Sequence, residues 1–200
     1  PSKDEGIAHQ IAEANGPIDA GQVCWSPDGN RLAFTSDVHG YNNIGLYDLE
    51  TRTIFWLTDG DGEKQYPTWS PDGKRVAYVL NRSTVSWLVV QEPGRSACLY
   101  QVEPGVHYLP HFTKDGNGII FAFDNPRHPT DIWLLSLENG TYTQLTESLP
   151  DDLIDADFAM PEEITYPGLD GIPIPALLFT PKEKEPGPAV VMIHGGPDWF

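Results

Sequence analysis

The pentapeptide Trp25-Ser26-Pro27-Asp28-Gly29 returns 44 residues later as Trp69-Ser70-Pro71-Asp72-Gly73, and a looser copy, Phe112-Thr113-Lys114-Asp115-Gly116, follows after a further 43. Each copy runs into a matched segment: Arg31-Leu32-Ala33-Phe34, Arg75-Val76-Ala77-Tyr78 and Gly118-Ile119-Ile120-Phe121. A fixed period of this length marks a repeated supersecondary unit that cannot bury its apolar face alone. In each unit an aromatic residue ends one strand, Asp-Gly, preceded by Pro in the first two copies, reverses the chain, and an apolar run begins the next strand. Further strands are expected at 44–49, 86–90 and 131–137. Polar turns such as Glu50-Thr51-Arg52 and Glu138-Asn139-Gly140 then lead to a last strand ending in Trp56-Leu57-Thr58 or Gln144-Leu145-Thr146. Four short strands per period make a β-propeller blade. A meandering sandwich leaves the fixed period unexplained.

Charge and hydropathy narrow the classes of function. Acidic residues number 29 against 12 basic ones, a net charge of −17, so no basic patch is available to neutralise phosphates and nucleic acid is excluded as a partner. Charged residues make up only 20% of the chain, below the roughly 25% of ordinary domains, so the imbalance reflects a scarcity of bases. Many acids stand in Asp-Gly pairs, at Asp28, Asp59, Asp61, Asp72, Asp115 and Asp170, where the carboxylate can cap its own turn. No apolar run approaches the roughly 18 residues of a membrane span, so no membrane partner is expected. No secretion signal is visible, which makes the cytoplasm the expected location. Cys24 and Cys98, each within an apolar segment, are expected as buried free thiols rather than a disulfide scaffold. Trp25, Trp69 and Phe112 recur at one strand position and are expected between blades. His39 reads as a loop residue. His107 and His111, four apart in a strand, share a face about 13 Å apart and cannot hold one metal ion.

The period stops after Pro150, dividing the chain into a partial propeller, 1–158, and a second segment, 159–200. Two strand-like runs, 164–166 and 174–179, are joined through Gly168-Leu169-Asp170-Gly171, and Glu162-Glu163 beside them is read as structural. A linker at 181–188 leads to Ala189-Val190-Val191-Met192-Ile193, apolar throughout and expected as a strand buried on both faces. His194-Gly195-Gly196-Pro197 comes at once after it. A strand running into a His-Gly-Gly loop is an oxyanion-hole segment of α/β-hydrolases, where a backbone N–H aims at the oxygen that becomes negative in acyl transfer. Glycine lets the backbone approach the substrate closely.

This ordered combination of repeats, the Pro161-Glu162-Glu163-Ile164-Thr165-Tyr166 segment and the His194–Pro197 loop resembles the prolyl oligopeptidase family of serine peptidases, closest to its acylaminoacyl-peptidase and dipeptidyl-peptidase-like branch. The resemblance implies a mainly β fold, with about three four-stranded blades followed by the first strands of an α/β-hydrolase domain. It implies a propeller that restricts an active site to short peptides, cleaved by acyl transfer without metal or organic cofactor. Gly196 then supplies half of the oxyanion hole through its N–H, while Gly195, His194 and Pro197 shape the loop. No serine of the chain stands in a Gly-x-Ser-x-Gly elbow, and the family order places nucleophile, acid and base beyond Phe200. The 200 residues are therefore expected to be inactive alone. Three repeats also fall short of the four to eight blades that close a propeller, so further blades are expected upstream. The full-length enzyme leaves room for a homo-oligomer. Two other readings share these features: a TolB-like propeller used as a binding module, and a propeller-bearing carboxylesterase.

Overall fold

The computed structural model describes residues 19–153, 158–181 and 187–193. Three four-stranded antiparallel sheets succeed one another, each in simple sequential strand order. The first contains β1 (Gly21–Trp25), β2 (Arg31–His39), β3 (Tyr41–Asp48) and β4 (Thr53–Trp56). The second contains β5 (Glu63–Trp69), β6 (Val76–Arg82), β7 (Val85–Gln91) and β8 (Cys98–Tyr100). The third contains β9 (Val106–Phe112), β10 (Gly118–Asn125), β11 (His128–Ser136) and β12 (Tyr142–Gln144). The leading strands β1, β5 and β9 lie side by side, the radial arrangement of propeller blades. A 3₁₀ turn, Asp151–Leu153, is followed by the hairpin of β13 (Glu162–Pro167) and β14 (Pro173–Leu178). The mainly β, propeller-blade fold expected from the repeat is the fold observed.

Each blade buries its apolar residues against the next. Ala33, Leu46, Val76, Tyr78 and Val89 form the core between blades one and two, and Val79, Leu88, Ile119, Phe121 and Phe123 that between blades two and three. In blades one and two the middle strands are consequently buried on both faces, so β2 and β6 carry unbroken buried stretches in place of strict alternation, whereas β10 and β11 of blade three leave Ile120 and Ile132 exposed.

The repeated turn is built the same way three times. Ser26 Oγ donates to Asp28 Oδ1 at 2.6 Å and accepts the Arg31 N–H at 2.9 Å, while Asp28 Oδ1 accepts the Asn30 N–H at 3.1 Å. Ser70 and Asp72 repeat these bonds, and Thr113 with Asp115 substitutes a threonine hydroxyl for the serine. The glycine closing each turn has a left-handed backbone, φ 71°, 67° and 74° at Gly29, Gly73 and Gly116, which a side chain would strain. These bonds hold the Asp28, Asp72 and Asp115 carboxyls below their usual range, the serine or threonine hydroxyl contributing most.

A long-range latch is superimposed on the local turn. Arg31 Nη2 donates to the Gly73 carbonyl of the next blade at 2.8 Å, and its guanidinium stands 4.6 Å from the centre of the Trp69 ring. Arg75 repeats both contacts one blade on, to the Gly116 carbonyl at 2.8 Å and over Phe112 at 5.4 Å. The series stops at Gly118, where an added Cβ would meet Leu134, Thr113 and the Leu135 carbonyl at 3.0–3.1 Å. Arg75→Ala removes a hydrogen bond and a cation–π contact together and should lower unfolding stability by about 1–2 kcal/mol. Arg75→Lys should recover only part, because an ammonium lacks the planar fork. Urea denaturation of the three proteins checks this order.

Five expectations are corrected. His39 is not in a loop: it ends β2, pairs across the sheet with Tyr41 and meets the Trp56 ring edge-on at 4.7 Å. Trp25 is 45% exposed, because no arginine-bearing blade stands over its ring among the described residues. Cys98 is exposed and Cys24 only partly buried, since Cys98 lies on the outermost strand. His107 and His111 do not share a face: a one-residue bulge sets Leu109 and Pro110 opposite Phe121, so His107 turns inward and His111 outward. The run 189–193 forms no strand among the described residues, and Val190, Val191, Met192 and Ile193 are 84–91% exposed. Among the described residues no sheet neighbour stands there to take up its backbone groups or cover its side chains.

Candidate functional site

Antiparallel order fixes what lies at each rim. The Pro-Asp-Gly turns and the β3–β4 type turns share one rim. The β2–β3, β6–β7 and β10–β11 turns share the other with the crossings between blades, at 57–62 and 101–105, and with the exit toward β13. This second rim is where the propeller meets the rest of the chain, so its polar groups are the ones positioned for function.

Two cations of the second rim, Lys64 and Arg82, are tied to backbone. Lys64, buried at the start of β5, donates to the carbonyls of Gly60 at 2.6 Å and Asp61 at 3.3 Å. Burial lowers its pKa against the opposing pull of Glu63. Arg82 also reaches the Asp61 carbonyl, at 3.3 Å. Glu63 accepts the Asn42 N–H at 3.0 Å and so links blades one and two. His128 pairs with Glu103 at 3.1 Å. On the strand lining the propeller axis, Gln22 of β1 accepts the Tyr66 N–H of β5, with Tyr66 at φ 56° in the equivalent bulge.

Two buried polar centres stand behind this rim. Ser86 Oγ lies 2.9 Å from His107 Nδ1, a separation suited to a nucleophile and its base. The pair is structural nevertheless: both residues are at most 1% exposed, and Ser86 Oγ accepts the His107 backbone N–H at 2.7 Å. Burial lowers the His107 pKa to about 4, so the ring is neutral. The second centre is Asp131, at the start of the β11 core segment. Its Oδ1 accepts Thr146 Oγ1 at 2.6 Å and Ser148 Oγ at 2.9 Å, and its Oδ2 accepts the Ser148 N–H at 3.1 Å and Gln144 Nε2 at 3.2 Å. Desolvation pushes its pKa up, and these hydrogen bonds outweigh that and leave it below the usual range. Asn43 holds Thr58 in the same way in blade one, at 3.0 Å.

The sequence-predicted oxyanion residues, His194, Gly195, Gly196 and Pro197, lie outside the described residues. Cys24 is no nucleophile, because burial raises its thiol to about 11. Among the described residues no three His, Cys, Asp or Glu side chains are grouped to hold a metal ion. Asp131 and the Ser86–His107 pair escaped sequence reasoning. Their signal was the repeat itself: Thr58 and Thr146 each come after a Leu at the end of a blade, and Asn43, Ser86 and Asp131 stand within the first four residues of the third strand of each.

Residues 5–152 match the family model described as the TolB beta propeller domain. The Tol-Pal system protein TolB of Bordetella pertussis is 33% identical over 118 residues, covering 58% of this chain and 27% of that protein. The chain thus spans about a quarter of the length of this curated relative. Among solved structures, TolB from Acinetobacter baumannii aligns with a TM-score of 0.58 at 23% identity, over 84% of this chain and 39% of that one. A puromycin-hydrolyzing peptidase of Mycobacterium tuberculosis aligns with a TM-score of 0.69 at 20% identity, over 86% of this chain and 28% of that one. At these identities the two structures establish likeness of fold.

Proposed function

Since the chain belongs to the TolB β-propeller domain family, we propose that its blades are the propeller portion of a serine-type peptidase acting on short peptides. The observation that carries this reading is the order of segments downstream of the blades. The β13–β14 hairpin, the apolar run and His194-Gly195-Gly196-Pro197 succeed one another as in a hydrolase domain's opening. The likeness of fold to a puromycin-hydrolyzing peptidase, whose own chain is the longer, is in keeping with it. In this reading Gly196 donates its N–H to the developing oxyanion, and nucleophile, base and acid come from sequence beyond Phe200. The propeller screens substrates by size, and no cofactor is required.

A second reading, a TolB-like binding module without catalysis, is favoured by the family model and by the TolB relative. Fluorophosphonate labelling and hydrolysis of aminoacyl p-nitroanilides separate the two. The full-length natural protein should be labelled and active, whereas the 200-residue chain should be neither. A full-length protein that resists labelling and leaves every peptide and ester substrate intact overturns the peptidase reading in favour of the binding module.

A further inference from the structure

Only two hydrogen bonds join the 158–181 segment to the blades among the described residues, and both end on one side chain. Ser83 Oγ donates to Glu163 Oε1, and Thr84 Oγ1 donates to Glu163 Oε2 at 2.7 Å. Ser83 and Thr84 are the two-residue turn between β6 and β7 on the second rim, and Glu163 lies in β13. Both oxygens of the carboxylate are engaged, and these two hydroxyls, Ser83 first, hold the Glu163 carboxyl below its usual range.

Apolar packing does not hold the hairpin down. Tyr166, Ile174, Leu177 and Leu178 are 38–48% exposed, and a two-stranded hairpin alone is at best marginally stable in water. The β6–β7 turn, for its part, carries a strained residue. Ser83 has φ 57°, a left-handed conformation, whereas the β2–β3 turn of blade one uses Gly40 at φ 103°. Glycine adopts such a backbone without strain. A serine in this place therefore works against the turn and supplies a hydroxyl aimed at Glu163.

We propose that Ser83, Thr84 and Glu163 form a releasable clasp that docks the β13–β14 hairpin on the rim of blade two, leaving the folding of the blade independent of it. The clasp stands whether the whole protein is a peptidase or a binding module.

Hydrogen–deuterium exchange of the 200-residue chain at neutral pH, resolved by peptide, tests it. Glu163→Gln acts from the hairpin side and leaves one acceptor where there were two. Ser83→Gly acts from the blade side, deleting a hydroxyl and relieving the backbone. Each should speed exchange across 162–178 by roughly 3- to 10-fold, about what the loss of one hydrogen bond permits. Exchange in β6 and β7 should be unchanged, and the thermal midpoint of Ser83→Gly should be equal to or above that of the parent. Hairpin exchange at the parent rate in both variants overturns the clasp. Joint loss of protection in hairpin and blade overturns the independence of the two.

Discussion

Asp131→Ala should lower the unfolding stability of the chain by about 3 kcal/mol, whereas Asp131→Asn should cost less than half of that. The carboxylate is 2% exposed and accepts four hydrogen bonds, from Thr146 Oγ1, the Ser148 hydroxyl, the Ser148 N–H and Gln144. Together they pin the chain leaving β12 back against β11. Thr146 Oγ1 in turn accepts the Ile132 N–H at 2.9 Å, so alanine removes the anchor of a relay that continues the sheet beyond its last ladder bond. Bonds to a charged acceptor are worth more than neutral ones, and the donors left behind recover part of the loss from water. Asparagine is the informative comparison because blade one already uses it. Asn43 Oδ1 accepts Thr58 Oγ1, and Thr58 Oγ1 accepts the Ile44 N–H at 2.8 Å. Urea unfolding of the three proteins measures the order. Equal losses for alanine and asparagine would show that charge, not the oxygen facing Thr146, carries the effect.

What the sequence revealed and what it hid divide by the range of the interactions. The Ser26-to-Arg31 turn was legible because every bond in it closes within five residues. The arginine latch was visible as a repeat but not as a contact, since Arg31 meets its partner 42 residues on. The bulges at Tyr66 and Leu109 carry no glycine to announce a left-handed backbone. Their signal is the next residue, Pro67 or Pro110, since proline within a strand is confined to edges and bulges. Reading that proline correctly would have put His107 and His111 on opposite faces. The run 189–193 shows the limit of composition. Apolar residues specify a buried strand only where a sheet stands to receive them, and none does among the described residues. The proposed oxyanion loop rests on motif order alone, because its residues lie outside the described segments. Glu163, read from the sequence as structural, owes its hydrogen bonds to a turn 80 residues away.

Acidification from neutral pH toward pH 4 should weaken the chain by about 3 kcal/mol through His107 alone. The ring is 1% exposed, packed against Phe121 and Phe123 with centroids 5.6 and 4.8 Å away. Ser86 Oγ meets its Nδ1, and the Val102 N–H points to Nε2 at 3.5 Å. A donor directed at Nε2 fits the neutral tautomer that carries its proton on Nδ1. Burial lowers the folded pKa from 6.5 to about 4, against a weaker opposing effect of the Ser86 backbone. Between those two values the unfolded chain binds a proton that the folded chain refuses, so stability rises with pH across the window. The contribution is complete above pH 6.5 and is lost as the pH falls through the window toward 4. The capped carboxylates Asp28, Asp72, Asp115 and Asp131, all held below the usual 3.8, lose their contributions only at lower pH. The two effects therefore separate on the pH axis. His107→Gln should be less stable at pH 7, because its amide cannot match the ring's packing, yet should show a nearly flat profile between pH 6.5 and 4. Urea midpoints across this range decide the matter. A parent protein as flat as the variant would mean that His107 takes up its proton while folded, and the junction of blades two and three would then not be the acid-sensitive point of the propeller.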